Sequence, residues 1–114
     1  MKILVVEPLK LPYEKDIPAT LEAMQKLVGG PIEAIYPFAD EQIALIANEE
    51  GKLLGLPCNR GLFDADGNLC DIVCGTFFLC AAAPDKPTFD SLSEEQLHFC
   101  AKRFARIEIF LEGR

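Results

Sequence analysis

The sequence contains a single histidine, His98, in 114 residues, and it has no Walker, dinucleotide-binding or nucleophile-elbow pattern. A nucleophile activated by histidine therefore has only one candidate base, and His98 would lie beside the apolar stripe of a predicted helix, a typical surface position. The adjacent Glu49 and Glu50 would point to opposite faces of a strand, which does not suit an acid–base pair. We therefore predict no catalytic residue and no cofactor.

Metal-binding spacing is also missing from the sequence. Its five cysteines, Cys58, Cys70, Cys74, Cys80 and Cys100, include no C-x-x-C pair. The acidic residues from position 64 begin like a calcium loop, but the glycine comes two positions early and no acid stands at the twelfth position. We predict no metal site. The odd cysteine count, with no recognisable secretory signal ahead of it, predicts free thiols in the cytoplasm.

Acidic residues outnumber basic ones, and no apolar run is long enough for a membrane helix. Lysine and arginine number 11 against 18 acidic residues, and the net charge of -7 disfavours nucleic acid and anionic membranes as partners. The longest apolar run, residues 72–83, is interrupted by Gly75 and Thr76 and is shorter than the ~20 residues of a membrane helix. A protein partner or a small ligand is the remaining expectation.

The apolar half of the sequence predicts a single α+β domain over residues 1–114. A helix begins after Thr20 and ends at the glycines before Pro31, and a second begins at a Ser93–Gln96 capping box and ends near Arg106. About five strands, mostly antiparallel or mixed, would pack with these two helices. They include residues 3–6, 32–36, 43–47 and a long strand through 70–77, and residues 107–111 form a short strand or docked tail.

Residues 53–62 fit neither the helical nor the strand period, which predicts an irregular packed loop. Asn48, Asn59, Arg60 and Asp71 stand among apolar residues in and around it. An unpaired buried polar group costs about 1–3 kcal/mol, so each needs a partner. Two interpretations stay open: an Arg60–Asp71 or Asn59–backbone brace that fixes the loop, or a ligand site built by the same groups. Cys58 lies close to Arg60, whose positive charge could make the thiol more reactive. Because Cys58 has no histidine or C-x-x-C partner, the sequence gives little support for a reactive thiol there.

Several motifs in these segments carry a family resemblance. The sequence contains VGG-x-IE from Val28, NEEGKL from Asn48, GLP-x-NR from Gly55 and DI-x-x-GT from Asp71. Together they resemble a family of small bacterial and phage proteins known only as a domain of unknown function, found largely in Gram-positive gut bacteria and often on mobile elements. The matching motif positions are Gly29, Gly30, Glu33, Asn48, Glu49, Gly51, Leu56, Pro57, Asn59, Arg60, Asp71, Gly75 and Thr76.

The resemblance implies no activity, cofactor or catalytic residue. We therefore expect a non-catalytic binding or accessory module of the cytoplasm, associated with a phage or mobile element. Its candidate ligand-binding residues are Asn48, Glu49, Asn59, Arg60 and Asp71. The alternative is a small enzyme that holds an anionic or amide-bearing ligand at Asn59, Arg60 and Asp71. An exposed edge strand would allow a homodimer.

Overall fold

A computed structural model describes residues 1–39 and 41–111 of the chain. Its elements, in chain order, are β1 (Lys2–Val6), β2 (Tyr13–Asp16), α1 (Leu21–Val28), β3 (Ile32–Ile35), β4 (Ile43–Asn48), β5 (Cys58–Phe63), β6 (Leu69–Cys74), β7 (Phe77–Ala81) and α2 (Glu94–Arg103). Five strands form one antiparallel sheet in the order β2-β1-β7-β4-β3, and β5 pairs with β6 in a separate antiparallel hairpin. The α+β prediction is confirmed.

The sheet is covered on both faces, which explains why its inner strands are apolar without interruption. Alternate residues of each strand point to opposite sides, so the sheet supports two cores. On one side, α1 covers residues such as Val5, Ile46 and Phe78. On the other side, α2 and the hairpin cover residues such as Leu45 and Leu79. The hairpin therefore lies over a sheet face rather than extending the sheet.

Local signals in the sequence place both helix beginnings correctly. The Thr20 hydroxyl accepts a hydrogen bond from the Ala23 amide at 3.2 Å, and α1 ends at Gly29 with φ at 85°. In α2 the Ser93 and Gln96 side chains bond to each other's backbone amides, which is the predicted capping box. Helix α2 stops at Arg103, with Phe104 as its C-cap, three residues before the predicted end.

The predicted long strand through residues 70–77 is wrong, because the chain breaks at Gly75. A φ of 84° at this glycine turns the chain out of the hairpin, and β7 starts two residues later in the main sheet. The predicted loop over residues 53–62 is wrong in its second half, where β5 begins at Cys58. The chain also forms an unpredicted edge strand, β2. Residues 107–111 form no strand, and of the two alternatives for this segment the docked tail fits the hydrogen bond that Glu108 accepts from the Gly61 amide.

No helix in the described ranges, 1–39 and 41–111, has the length and apolar character needed to cross a membrane.

Candidate functional site

The β5–β6 hairpin presents two different faces. Val73 is buried against the sheet and Leu62 packs on the same core, so their side defines the inner face of the hairpin. Cys70, Ile72 and Cys74 alternate with Val73 along β6, so they lie on the outer face. The residues singled out from the sequence divide between these two faces and the adjoining turn.

A β-bulge explains why two consecutive polar residues can both be buried. In the register of the hairpin, Cys58 faces Cys74 while Arg60 faces Val73, so Asn59 and Arg60 together oppose one residue of β6. A regular strand would send one of the two side chains outward. Instead both are 0% exposed. The bulge also breaks the strand period, which is why sequence analysis interpreted this segment as a loop.

Asn59 ties the hairpin to the main sheet through its side-chain amide. Its Nδ2 donates to the carbonyl oxygens of Val6, at the end of β1, and Gly75, at the chain break, both at 2.9 Å. Its Oδ1 accepts from Arg60 Nη1 at 2.8 Å. The predicted Asn59–backbone brace is therefore present.

Arg60 reaches from β5 to two distant parts of the chain. Its Nη2 donates to the carbonyl of Lys10 at 2.7 Å, and its Nε donates to the carbonyl of Phe104 at 3.2 Å. Since Phe104 caps α2, the guanidinium places a positive charge at the negative end of the helix dipole. Burial lowers the pKa of Arg60 and the charge of Glu108 opposes that effect, but a guanidinium stays protonated in proteins.

Glu108 is a member of this cluster that sequence analysis missed. Its carboxylate accepts a hydrogen bond from the Gly61 amide at 3.1 Å and is half-buried. The available signal was an isolated acid in the apolar segment 107–111. The apolar residues of that segment indicate only a strand or docked tail, so the sequence does not predict that Glu108 contacts the hairpin.

Asp71 does not form the predicted ion pair with Arg60. It bonds instead to Lys52, with 2.5 Å between Nζ and Oδ1, and to the Ile72 amide at 2.8 Å. The hydrogen bond from Lys52 is the main reason that the pKa of Asp71 is lowered, and the same bond raises the pKa of Lys52. The side chains of Lys52 and Asp71 are 63% and 47% exposed, so this pair stands in solvent.

Asn48 is buried and its amide is also engaged. Its Nδ2 donates to the carbonyl of Val28 at 3.2 Å, at the end of α1, and its Oδ1 accepts from the Glu50 amide at 2.7 Å. The neighbouring Glu49 side chain is exposed, while its amide donates to the Pro31 carbonyl. Asn48 thus orders the turn that carries Glu49. In the described ranges, every buried side-chain nitrogen and oxygen has a hydrogen-bond partner.

Two clefts adjoin the Lys52–Asp71 pair. An open cleft of about 530 Å³, here called the cysteine cleft, is lined by Lys52, Gly55, Leu56, Cys58, Leu69, Cys70, Asp71, Ile72 and Cys74. A smaller pocket of about 100 Å³ includes Asn48, Glu49, Lys52 and Asp71. Lys52 and Asp71 line both clefts, whereas Asn59 and Arg60 line neither. The structure thus brings three of the five predicted site residues to one pocket and places the other two inside the fold.

A larger cavity, of about 670 Å³, lies elsewhere, between the β3–β4 connection and residues 82–89. Tyr36, Phe38 and Phe89 give it an aromatic lining, and Lys86 brings a positive charge. Sequence analysis did not anticipate it, since its walls come from segments distant in sequence. The part of the chain that the structure describes contains no group of three or more side chains arranged to hold a metal ion.

These observations define an α+β protein whose hairpin buries a braced Asn–Arg pair on one side and opens a cleft on the other. The chain belongs to a family described as a domain of unknown function (DUF3846), whose model matches residues 1–105. The resemblance to an uncharacterised domain family is thereby confirmed. Searches of curated proteins and of solved structures found no match.

Proposed function

We propose that this protein is a non-catalytic binding or accessory module, and that its ligand or protein partner binds at the cysteine cleft beside Lys52 and Asp71. One observation carries the proposal. The buried Asn59 and Arg60 use their polar groups on the protein's own main chain, whereas Lys52 and Asp71 stand exposed at the junction of two clefts. Groups available to a ligand are therefore found at the solvent-exposed edge of the hairpin.

The chemistry of the cleft suits a ligand that combines a polar group with an apolar body. An exposed ion pair contributes little to stability, at most about 1 kcal/mol, so either partner can exchange its bond for one to a ligand. Leu56 and Leu69 supply apolar wall next to that pair. An acidic or basic side chain of a partner protein, or a small molecule with one charged group, would meet these requirements.

The alternative, a small enzyme that holds an anionic or amide-bearing ligand at Asn59, Arg60 and Asp71, has less support. Asp71 is paired with Lys52 in solvent, while Asn59 and Arg60 are 0% exposed. A substrate would have to displace the main-chain bonds of both buried residues before it could reach them. The net charge and free cysteines support a cytoplasmic module, and the resemblance alone supports an association with a phage or mobile element.

A homodimer also remains part of the proposal. Strands β2 and β3 form the two edges of the main sheet, and a free strand edge can pair with a second chain. Light scattering of the purified protein would report this state separately from ligand binding.

A thermal-shift screen of charged small molecules tests the binding function. We expect ligands that stabilise the wild type but not the double variant Lys52→Ala, Asp71→Ala. The matched control is Lys2→Ala, Glu94→Ala, which removes another exposed ion pair, 3.9 Å long, away from both clefts. The control should respond like the wild type. Equal stabilisation of all three proteins by every ligand found would contradict binding at this cleft.

A further inference from the structure

We propose that Cys58 and Cys74 form a redox-active dithiol that closes to a disulfide on the outer face of the hairpin. This inference does not depend on the proposed binding function. Its basis is the placement of the two side chains: they face each other across the hairpin in register, and Cys74 Sγ lies 3.8 Å from Cys58 Sγ as a hydrogen-bond donor to it. Both thiols line the solvent-open cysteine cleft.

The backbone around the pair already has the geometry that a disulfide requires. The Gly75 amide donates to the Pro57 carbonyl at 2.7 Å, so these residues form a hydrogen-bonded position of the ladder. The next opposed pair, Cys58 and Cys74, is therefore a non-hydrogen-bonded position, where Cα atoms lie about 4.5 Å apart and side chains approach most closely. Disulfides join Cα atoms about 4.4–6.8 Å apart. Closure needs rotation of the two side chains rather than movement of the strands.

The other three cysteines lack this arrangement. Cys80 and Cys100 are buried in the two separate cores, and burial raises the pKa of each thiol to about 12, which suppresses its reactive thiolate. Cys70 is exposed but lies four residues along β6 from Cys74, roughly 13 Å away in an extended strand. Only the Cys58–Cys74 pair therefore combines proximity with access among the five cysteines.

The order of the two thiols in the reaction follows from their exposure. Cys58 is exposed, whereas Cys74 is half-buried, and desolvation, followed by the hydrogen bond with Cys58, raises the pKa of the Cys74 thiol. Cys58 is thus the sulfur that meets an oxidant first, and Cys74 is the sulfur that resolves the product. The 3.8 Å separation keeps Cys74 within reach of that product.

The oxidant is a low-molecular-weight disulfide. The Cys58 thiolate attacks one of its sulfurs, which forms a mixed disulfide and releases one small thiol. Cys74 then attacks the Cys58 sulfur, which forms the protein disulfide and releases the second small thiol. Two cysteines lose two protons and two electrons in total, and the small disulfide takes up both as two thiols. The new bond would cross-link the hairpin beside Gly75, whose carbonyl is held by Asn59.

Oxidation of the reduced protein with glutathione disulfide in the absence of air tests the inference. We expect the wild type to lose the mass of two hydrogens, to yield a Cys58–Cys74 cross-linked peptide on digestion, and to show a Tm higher by on the order of 10 °C. Dithiothreitol should reverse all three changes. The control Cys70→Ser removes an exposed thiol of the same cleft and should behave like the wild type.

Two single variants separate the roles of the partners. Cys58→Ser and Cys74→Ser both change accessible side chains and should fold. Cys74→Ser should accumulate the mixed disulfide at Cys58, because the resolving thiol is missing, and neither variant should show the rise in Tm. The inference is overturned if the wild type retains glutathione at Cys58, if the cross-link joins Cys70, or if Cys70→Ser prevents closure.

Discussion

Two regions at the β5–β6 hairpin hold polar side chains in opposite circumstances, one buried and one exposed to solvent. On the inner face, Asn59 and Arg60 are completely buried and bond to carbonyls from β1, residue 10, Gly75 and the end of α2. At the exposed edge of the hairpin, Lys52 and Asp71 bond to each other in solvent beside two clefts. The same short hairpin therefore combines a fixed polar interior with an accessible polar edge.

The difference shows that polar residues close together in one part of the fold can have different roles, structural or accessible. The inner pair joins segments far apart in sequence, and its bonds satisfy the main-chain carbonyls of the buried residues Val6, Gly75 and Phe104. The Lys52–Asp71 ion pair can be rearranged at a small cost in free energy, because water replaces any bond that is broken. Asn59 and Arg60 thus fit a structural role, whereas Asp71 and Lys52 fit an accessible one.

The largest expected effect comes from Arg60→Ala. This change leaves the carbonyls of Lys10 and Phe104 and the Asn59 side chain without their donor, and it empties a buried volume. We expect a loss of about 3–5 kcal/mol in the free energy of unfolding. Urea denaturation followed by circular dichroism measures it. Arg106→Ala, at an exposed arginine near the same helix end, should stay within about 0.5 kcal/mol of the wild type.

Asn59→Ala should cause the next largest loss in the free energy of unfolding. It removes the donor to Val6 and Gly75 and also one acceptor of Arg60, so we expect a loss of about 2–3 kcal/mol. Asn59 and Arg60 share a hydrogen bond, so their effects should not add. The loss in the free energy of unfolding of the double variant should be smaller than the sum of the two single losses by at least about 0.5 kcal/mol, the lower end of the coupling between contacting residues. Strict additivity in the same urea experiment would show that they act separately.

Gly75→Ala tests the link between the hairpin and the main sheet. A Cβ there would lie 2.7 Å from Leu56 Cδ1, and the φ of 84° strains any other residue, so we expect a loss of about 2 kcal/mol. Gly67→Ala is the matched control, since its φ is 83° but nothing lies within 4 Å of the added atom. It should lose about 1 kcal/mol by the same measurement. A smaller loss at Gly75 than at Gly67 would contradict the close packing of Leu56.

The smallest effect is expected from Asp71→Asn, with a loss of at most about 1 kcal/mol at pH 7 after screening by solvent. The pKa of Asp71 is lowered in the folded state, chiefly by Lys52. Its contribution is therefore present above the unfolded pKa of about 3.9 and is lost as the pH falls through the lower folded value. Urea curves of variant and wild type should converge at acid pH.

A second acidic residue provides the control for the pH dependence of Asp71→Asn. Asp16→Asn, at an exposed acid on β2, should match the wild type at every pH. A constant difference between Asp71→Asn and the wild type from neutral to acid pH would mean that the ion pair with Lys52 contributes nothing, and that the loss has another source.

Sequence patterns predicted the parts of the fold that depend on neighbouring residues. The caps at Thr20 and Ser93 and the strand over residues 43–47 follow from short-range rules. The bulge at Asn59 and the chain break at Gly75 were missed. Each replaces a regular period by a contact with a distant segment, which no local pattern contains.

Sequence analysis singled out polar residues that need hydrogen-bond partners, but it did not identify those partners. A need for partners was deduced correctly for Asn59 and Arg60, because unpaired polar groups are costly in a core. Their partners are main-chain carbonyls, which are present at every position and therefore leave no mark in a sequence. Nothing in the sequence near Lys52 indicates that its side chain reaches across to β6.

The most direct test of whether the Arg60 side chain is sealed inside the fold is hydrogen exchange at the arginine Nε–H groups, followed by NMR after transfer to D₂O. Arg60 Nε donates to the Phe104 carbonyl and the residue is 0% exposed, whereas Arg103 and Arg106 are exposed. We predict one Nε–H signal that persists long after those of Arg103 and Arg106 have disappeared, and that is missing in Arg60→Lys. Equally fast exchange of all three would contradict the sealed environment that distinguishes Arg60 from the exposed Lys52–Asp71 pair.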